Sequence, residues 1–102
     1  MAVKPVSAVP LSWQCSTADT DQTLFVTLDE ATAMVKWTFK PSGNGREWTE
    51  TAAFTTDLVQ WAYLLPATTV RMHHRFDLTS GELLVTQGDS GKVRRWLCVV
   101  DR

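Results

Sequence analysis

Between Val70 and Leu78 the chain alternates without a break. Val70, Met72, His74, Phe76 and Leu78 fall on one side, and Arg71, His73, Arg75 and Asp77 on the other. Successive side chains of a strand point to opposite faces, so this is the pattern of a strand half buried in a sheet. The same period recurs along most of the chain, and no long stretch carries an uninterrupted i, i+3, i+4, i+7 apolar stripe. Fourteen Thr, eleven Val, five Trp and four Phe among 102 residues add to the preference for strand.

Eight short strands are predicted: 11–16, 23–28, 32–39, 47–55, 58–65, 69–78, 82–87 and 92–100. Leu11, Trp13 and Cys15 share the inward face of the first. Leu24, Val26 and Leu28 face inward on the second, and Val35, Trp37 and Phe39 on the third. The fourth is less regular: either Trp48, Ala52 and Phe54 face inward, or the strand bends at Ala52-Ala53. Val59, Trp61, Tyr63 and Leu65 share a face of the fifth. Turn signals separate the strands, among them Pro41-Ser42-Gly43-Asn44-Gly45, Thr79-Ser80-Gly81 and Gly88-Asp89-Ser90-Gly91. Short strands joined by short turns read as an antiparallel meander. An open sheet of eight such strands would leave one apolar face in water and expose two edges. The expected architecture is therefore all-β: a single small meander closed into a barrel, round or flattened, over residues 11–102, with residues 1–10 as an extended arm.

Closure makes a prediction about the cysteines. The first and last strands of a closed meander are antiparallel neighbours, and each carries a Trp-x-Cys triplet: Trp13-Gln14-Cys15 and Trp96-Leu97-Cys98. Setting Cys15 opposite Cys98 places Trp13 opposite Val100 and keeps the inward faces of both strands in agreement. The pair is then either a disulfide closing a very long loop, worth about 4 kcal/mol on a chain-entropy account, or two buried thiols packing as small hydrophobes. A reducing compartment favours the thiols and an extracellular particle the bridge.

The two triplets, the Leu28-Asp29-Glu30 turn, the strand Asp57-Leu58-Val59-Gln60-Trp61 and the hairpin from Phe76 to Leu83 together resemble small uncharacterised β-proteins of bacterial and phage genomes. The resemblance spans about residues 11 to 100. It implies the barrel and no catalytic residue.

Several functions are excluded by what the chain lacks. Ten Lys+Arg against eleven Asp+Glu give a formal charge of −1, which does not suit a nucleic-acid binder. The outward basic stripe Arg71, His73, Arg75 reads as a solvated wall. No apolar run approaches the ~20 residues of a membrane helix. His73 and His74 are adjacent on a strand and cannot serve one site. The glycine turns lack the helix that a phosphate loop or nucleophile elbow requires. Neither a catalytic constellation nor a cofactor or metal set is expected. A start of Met1-Ala2-Val3-Lys4-Pro5, without the apolar core of a secretory signal, points to the cytoplasm or an assembled particle.

Two binding readings remain. Trp13, Trp37, Trp61 and Trp96 share the inward parity, so they either fill a short barrel together with Phe39, Tyr63, Met72 and Phe76 or line a ligand pocket at one mouth. Filling is the expectation. Pro5 and Pro10 keep the first ten residues out of a central strand. Val3, Pro5, Val6 and Val9 are expected to engage a protein partner or a second copy of the chain. The functional expectation is a non-enzymatic interaction module, in its concrete form a phage virion decoration or cement protein bound to capsid or other virion chains. The alternatives are a small-ligand-binding barrel and an inhibitor of a host defence protein.

Overall fold

The computed structural model describes residues 10–40 and 46–100. Nine strands form one antiparallel sheet: β1 Leu11–Thr17, β2 Thr20–Asp29, β3 Met34–Lys40, β4 Trp48–Thr51, β5 Ala53–Phe54, β6 Leu58–Leu64, β7 Arg71–Asp77, β8 Glu82–Gln87 and β9 Val93–Val100. Their spatial order is β4-β3-β2-β1-β9-β8-β7-β6-β5. Among the described residues there is no helix. The sheet curls into a nearly closed barrel, because its two outermost strands, β4 and β5, are separated in the chain by Ala52 alone. β4 also packs on β6 across this corner.

The expected fourth strand is therefore broken at Ala52 and serves both neighbours. Its first half pairs with β3 (Trp37 opposite Trp48), and its second half pairs with β6 (Phe54 opposite Val59). The break is held from outside: the Ala52 N–H donates to the carbonyl of Ala33 at 2.8 Å. Ala33 itself has φ 55°, a left-handed conformation that turns the chain between β2 and β3. One strand shared between two sheet directions lets eight strand-length segments close without a free long edge.

The terminal strands meet in the predicted register. Trp13 faces Val100, Gln14 faces Val99 and Cys15 faces Cys98. Of the two states open to the cysteines, the structure has the disulfide, which spans 83 residues of chain. Beyond Ser16 opposite Leu97 the pairing with β9 ends: Thr17 pairs with Thr20 of β2, and the β1–β2 register shifts between Cys15 and Thr17.

Gly81 shows how closely the seam is packed. It has φ 77°, and its backbone lies against Cys98, whose N–H donates to the Gly81 carbonyl at 2.7 Å. A Cβ at Gly81 would collide with the carbonyl oxygen of Cys98. Only glycine satisfies both the turn and the contact.

Inward parity held for the strand interiors: Trp13, Leu24, Val26, Val35, Trp37, Val59, Trp61, Phe76 and Trp96 are all buried. Leu11 is a correction. It shares the inward parity but is 51% exposed, because it is the first residue of β1 and stands at the rim, above the packed layer. Val3, Pro5, Val6 and Val9 lie outside the described residues, as do Pro41 to Gly45.

Candidate functional site

In a meander, alternate turns gather at the same end of the barrel. One end carries the β2–β3, β5–β6 and β7–β8 connections. The other carries the β1–β2, β3–β4, β6–β7 and β8–β9 connections. The two ends are filled differently. Towards the first, Val35, Val59, Phe76 and Leu83 are completely buried, and Trp13 meets Phe76 edge to face with ring centroids 5.0 Å apart. Towards the second, the lumen opens into a cavity of about 530 Å³. The space is open at the mouth, where exposed Arg46, Pro66, Lys92, Val93 and Arg94 stand, and is bounded below by buried Trp37, Trp61 and Trp96. It falls within the usual range of small-molecule sites.

Aromatic rings form the wall. Trp37 is the hub: Trp48 is stacked beside it at 6.4 Å, Trp61 lies at 6.0 Å and Tyr63 meets it edge-on at 5.4 Å. Phe39 bridges Trp48 (5.8 Å) and Trp96 (6.0 Å). The strand ladder dictates the Trp37–Trp48 contact, and the curl of the sheet brings β3 against β6 and β9, with which it is not paired. Trp37 and Trp48 are directly opposite on β3 and β4, and Tyr63 is opposite Met72 on β6 and β7. Cross-strand pairs on one face bring their Cβ atoms within reach of ring contact.

Three of the four tryptophans expected in a pocket, Trp37, Trp61 and Trp96, line the cavity. Trp13 does not. Its parity is inward, but it lies near the start of β1 at the packed end, where it fills space against Phe76. Trp48 takes the vacated role, and Phe39, Tyr63 and Met72 line the cavity instead of filling it. The expectation of a filled barrel is thus corrected for one half of the lumen. Ring contacts cross this half of the lumen, Trp37 to Trp61 and His74 and Phe39 to Trp96, without filling it.

Trp61 and His74, opposite each other on β6 and β7, stack nearly parallel at 4.7 Å with an 8° angle between planes. His74 is only 9% exposed. Its pKa is lowered from 6.5 to about 4, chiefly because burial penalises the charged ring. The imidazole is therefore neutral near pH 7, with one ring nitrogen a donor and the other an acceptor. Trp61 Nε1 and His74 Nδ1 have no hydrogen-bond partner in the protein, and neither does Trp13 Nε1 at the packed end. Buried polar atoms without partners are uncommon and cost free energy. Two of these three belong to residues of the cavity wall.

The mouth is charged. Asp19, Arg46, Lys92 and Arg94 line it among the described residues. Asp19, Arg46 and Lys92 sit in connections and Arg94 near the start of β9. The Thr38 hydroxyl donates to the Arg46 carbonyl at 2.5 Å, and the Arg46 guanidinium lies over the Trp48 ring at 5.7 Å. Around Lys92, the Gln87 N–H donates to its carbonyl at 2.8 Å, and Gly91 at φ 71° returns an N–H to the Gln87 carbonyl at 2.8 Å. Arg94 pairs with Asp19 at 3.7 Å. Sequence reasoning missed these four residues, although a signal was present. Lys92 and Arg94 share the parity of Trp96, so they are cations at inward-facing positions, which only an open end tolerates.

No family model matches the chain, and neither the curated proteins nor the solved structures contain a match. The resemblance drawn from the Trp-x-Cys triplets therefore has no matching family to carry a role over from, and function rests on the geometry of the barrel alone.

Proposed function

We propose that this protein is a small-ligand-binding barrel that takes a largely apolar guest into the open half of its lumen and performs no chemistry on it. The observation that carries this reading is the contrast within one lumen. The half around Phe76 is filled to zero exposure, whereas the half around Trp37 leaves about 530 Å³ bounded by aromatic faces. Apolar surface held away from other apolar surface forgoes about 25 cal/mol per Å² of burial, which a guest of matching shape supplies. Aromatic side chains add ring-on-ring attraction of specific geometry.

The test is calorimetric titration with a neutral two-ring aromatic probe such as 2-naphthamide, followed in parallel by tryptophan fluorescence. Saturable binding with a change in Trp emission is expected. Trp48→Ala, at the half-buried rim, is expected to weaken it about tenfold or more. Absence of saturable binding, or binding unchanged in Trp48→Ala, rejects the reading.

A second reading, a protein-interaction module, is favoured by one separate feature. Leu97 and Val99 are 61% and 67% exposed on the outer face of β9. Apolar side chains two residues apart on one strand face form a contiguous patch of the kind that partners cover. Its narrower forms, a capsid decoration or cement protein or an inhibitor of a host defence protein, draw no support from the fold. Replacing both residues by lysine is expected to abolish any self-association seen by analytical ultracentrifugation; a protein monomeric before and after has no self-interface there.

A further inference from the structure

We infer that the guest is an aromatic acid: a planar apolar body seated among the rings, with a carboxylate held at the mouth. The inference rests on the binding reading above and adds the charge of the ligand. Among the described residues the charged ones that line the cavity are three cations, Arg46, Lys92 and Arg94, and one carboxylate, Asp19. Asp19 is engaged by Arg94. Among the described residues Arg46 and Lys92 have no carboxylate within ion-pair distance, so the mouth keeps its positive charge. The molecule as a whole is slightly negative, which makes the excess local rather than general. Asp21, Glu47 and Asp89 belong to the same end of the barrel but do not line the cavity, and Asp89 accepts a hydrogen bond from Gln87 at 2.7 Å.

The arrangement of the cations divides the ligand into two parts. The floor and wall below them offer Trp37, Trp61, Tyr63 and a neutral His74, none of which carries charge near pH 7. Moving an ionised group down among those rings would cost its hydration without a counter-charge. A carboxylate that stays at the mouth remains partly hydrated and gains Arg46 and Lys92. The Arg46 guanidinium already lies over the Trp48 ring, 5.7 Å from its centroid, so a cation and the edge of the aromatic wall are presented together. An aliphatic acid would satisfy the mouth equally but would forgo the ring faces; a cationic aromatic would satisfy the rings and be repelled at the mouth.

Three probes with one ring system and different charge separate these cases: 2-naphthoate, 2-naphthamide and 2-naphthylmethylammonium, each titrated calorimetrically into the full chain at pH 7.5 and low salt. The expected order is naphthoate tightest, the amide about tenfold weaker, and the ammonium weaker still. Raising the salt to 0.5 M is expected to shrink the acid's advantage and leave the amide unchanged. In the double variant Arg46→Gln, Lys92→Gln the acid is expected to lose about tenfold in affinity and the amide much less, so that the two bind about equally. Since both side chains are exposed, circular dichroism should match the parent. Equal binding of acid and amide, or an acid preference that survives the double variant, overturns the charge assignment and leaves the cavity reading standing. If none of the three binds, both fall.

Discussion

At the end of the barrel that carries the β7–β8 turn, Phe76, Leu83, Val59 and Val35 are sealed from solvent, and Trp13 packs edge-on against Phe76. At the end that carries the β8–β9 turn, Trp37, Trp48, Tyr63 and Phe39 surround a cavity with arginine and lysine at its mouth. Both ends are made by the same strands with the same alternation. The packed end brings Trp13 and Phe76 together with fully buried Val35, Val59 and Leu83. The open end holds a cluster of rings around Trp37, some paired along the ladder as with Trp48 and some reached across the lumen as with Trp61 and Tyr63, and leaves space beside them. One end of the sheet is thereby sealed and the other left open, and the binding proposed above belongs to the open one.

That division can be broken from either side. Phe76→Ala strikes the sealed end, where no neighbour is free to collapse into the space, and a loss of about 3–5 kcal/mol is expected from denaturant unfolding. Trp48→Ala removes a half-buried ring at the rim and is expected to cost about 1–2 kcal/mol of stability while weakening ligand binding about tenfold or more. Equal losses from the two substitutions would show that the ends are not distinct. Next in size is the seam. Reducing the Cys15–Cys98 bridge, or replacing both cysteines by serine, releases an 83-residue span and is expected to cost about 2–4 kcal/mol, seen as a lower unfolding midpoint. The cavity should still bind its guest, because neither cysteine lines it.

Acid provides a third lever, directed at the wall of the open end. His74 has a folded pKa of about 4 against an ordinary 6.5. Between those values the unfolded chain takes up a proton that the folded chain refuses. The unfolded state then binds more protons, so stability rises with pH across this window and is lost as pH falls through it. The full loss is about 3 kcal/mol at most. His74→Gln is expected to flatten that part of the pH–stability curve, whatever it does to the stability at pH 7. A slope that persists unchanged would move the titrating group elsewhere. The smallest effect belongs to the β6–β7 connection at the mouth, where Ala67 has φ 61°. Ala67→Gly relieves that conformation and is expected to raise stability by under about 1 kcal/mol, measured by thermal unfolding.

Particular residues show how much was legible in advance. The Cys15–Cys98 register followed from closure: once the first and last strands must be neighbours, matching inward faces leaves little freedom in their alignment. The bend at Ala52 was one of two alternatives, and nothing local decided between them, since the break exists to serve β3 and β6 at once. Trp13 and Trp48 could not be assigned from the chain alone. Both were compatible with facing inward, but inward parity says nothing about height along the barrel axis, and height separates a packed ring from one that lines a cavity.

Whether each side chain points into or out of the sheet is written in the order of neighbouring residues, because a pleated strand turns over at every step. The alternation at Val70–Leu78 and the matching faces around Cys15 and Cys98 therefore carried the all-β architecture and its closure. The division of the lumen into a sealed half and an open half is decided only when the sheet has curled. Strand tilt and stagger set how wide the barrel is at each level, and whether the rings at that level meet depends on this width and on their summed volume. The same assembly step brings Arg46 from the β3–β4 connection to one mouth with Lys92 and Arg94, which flank the start of β9.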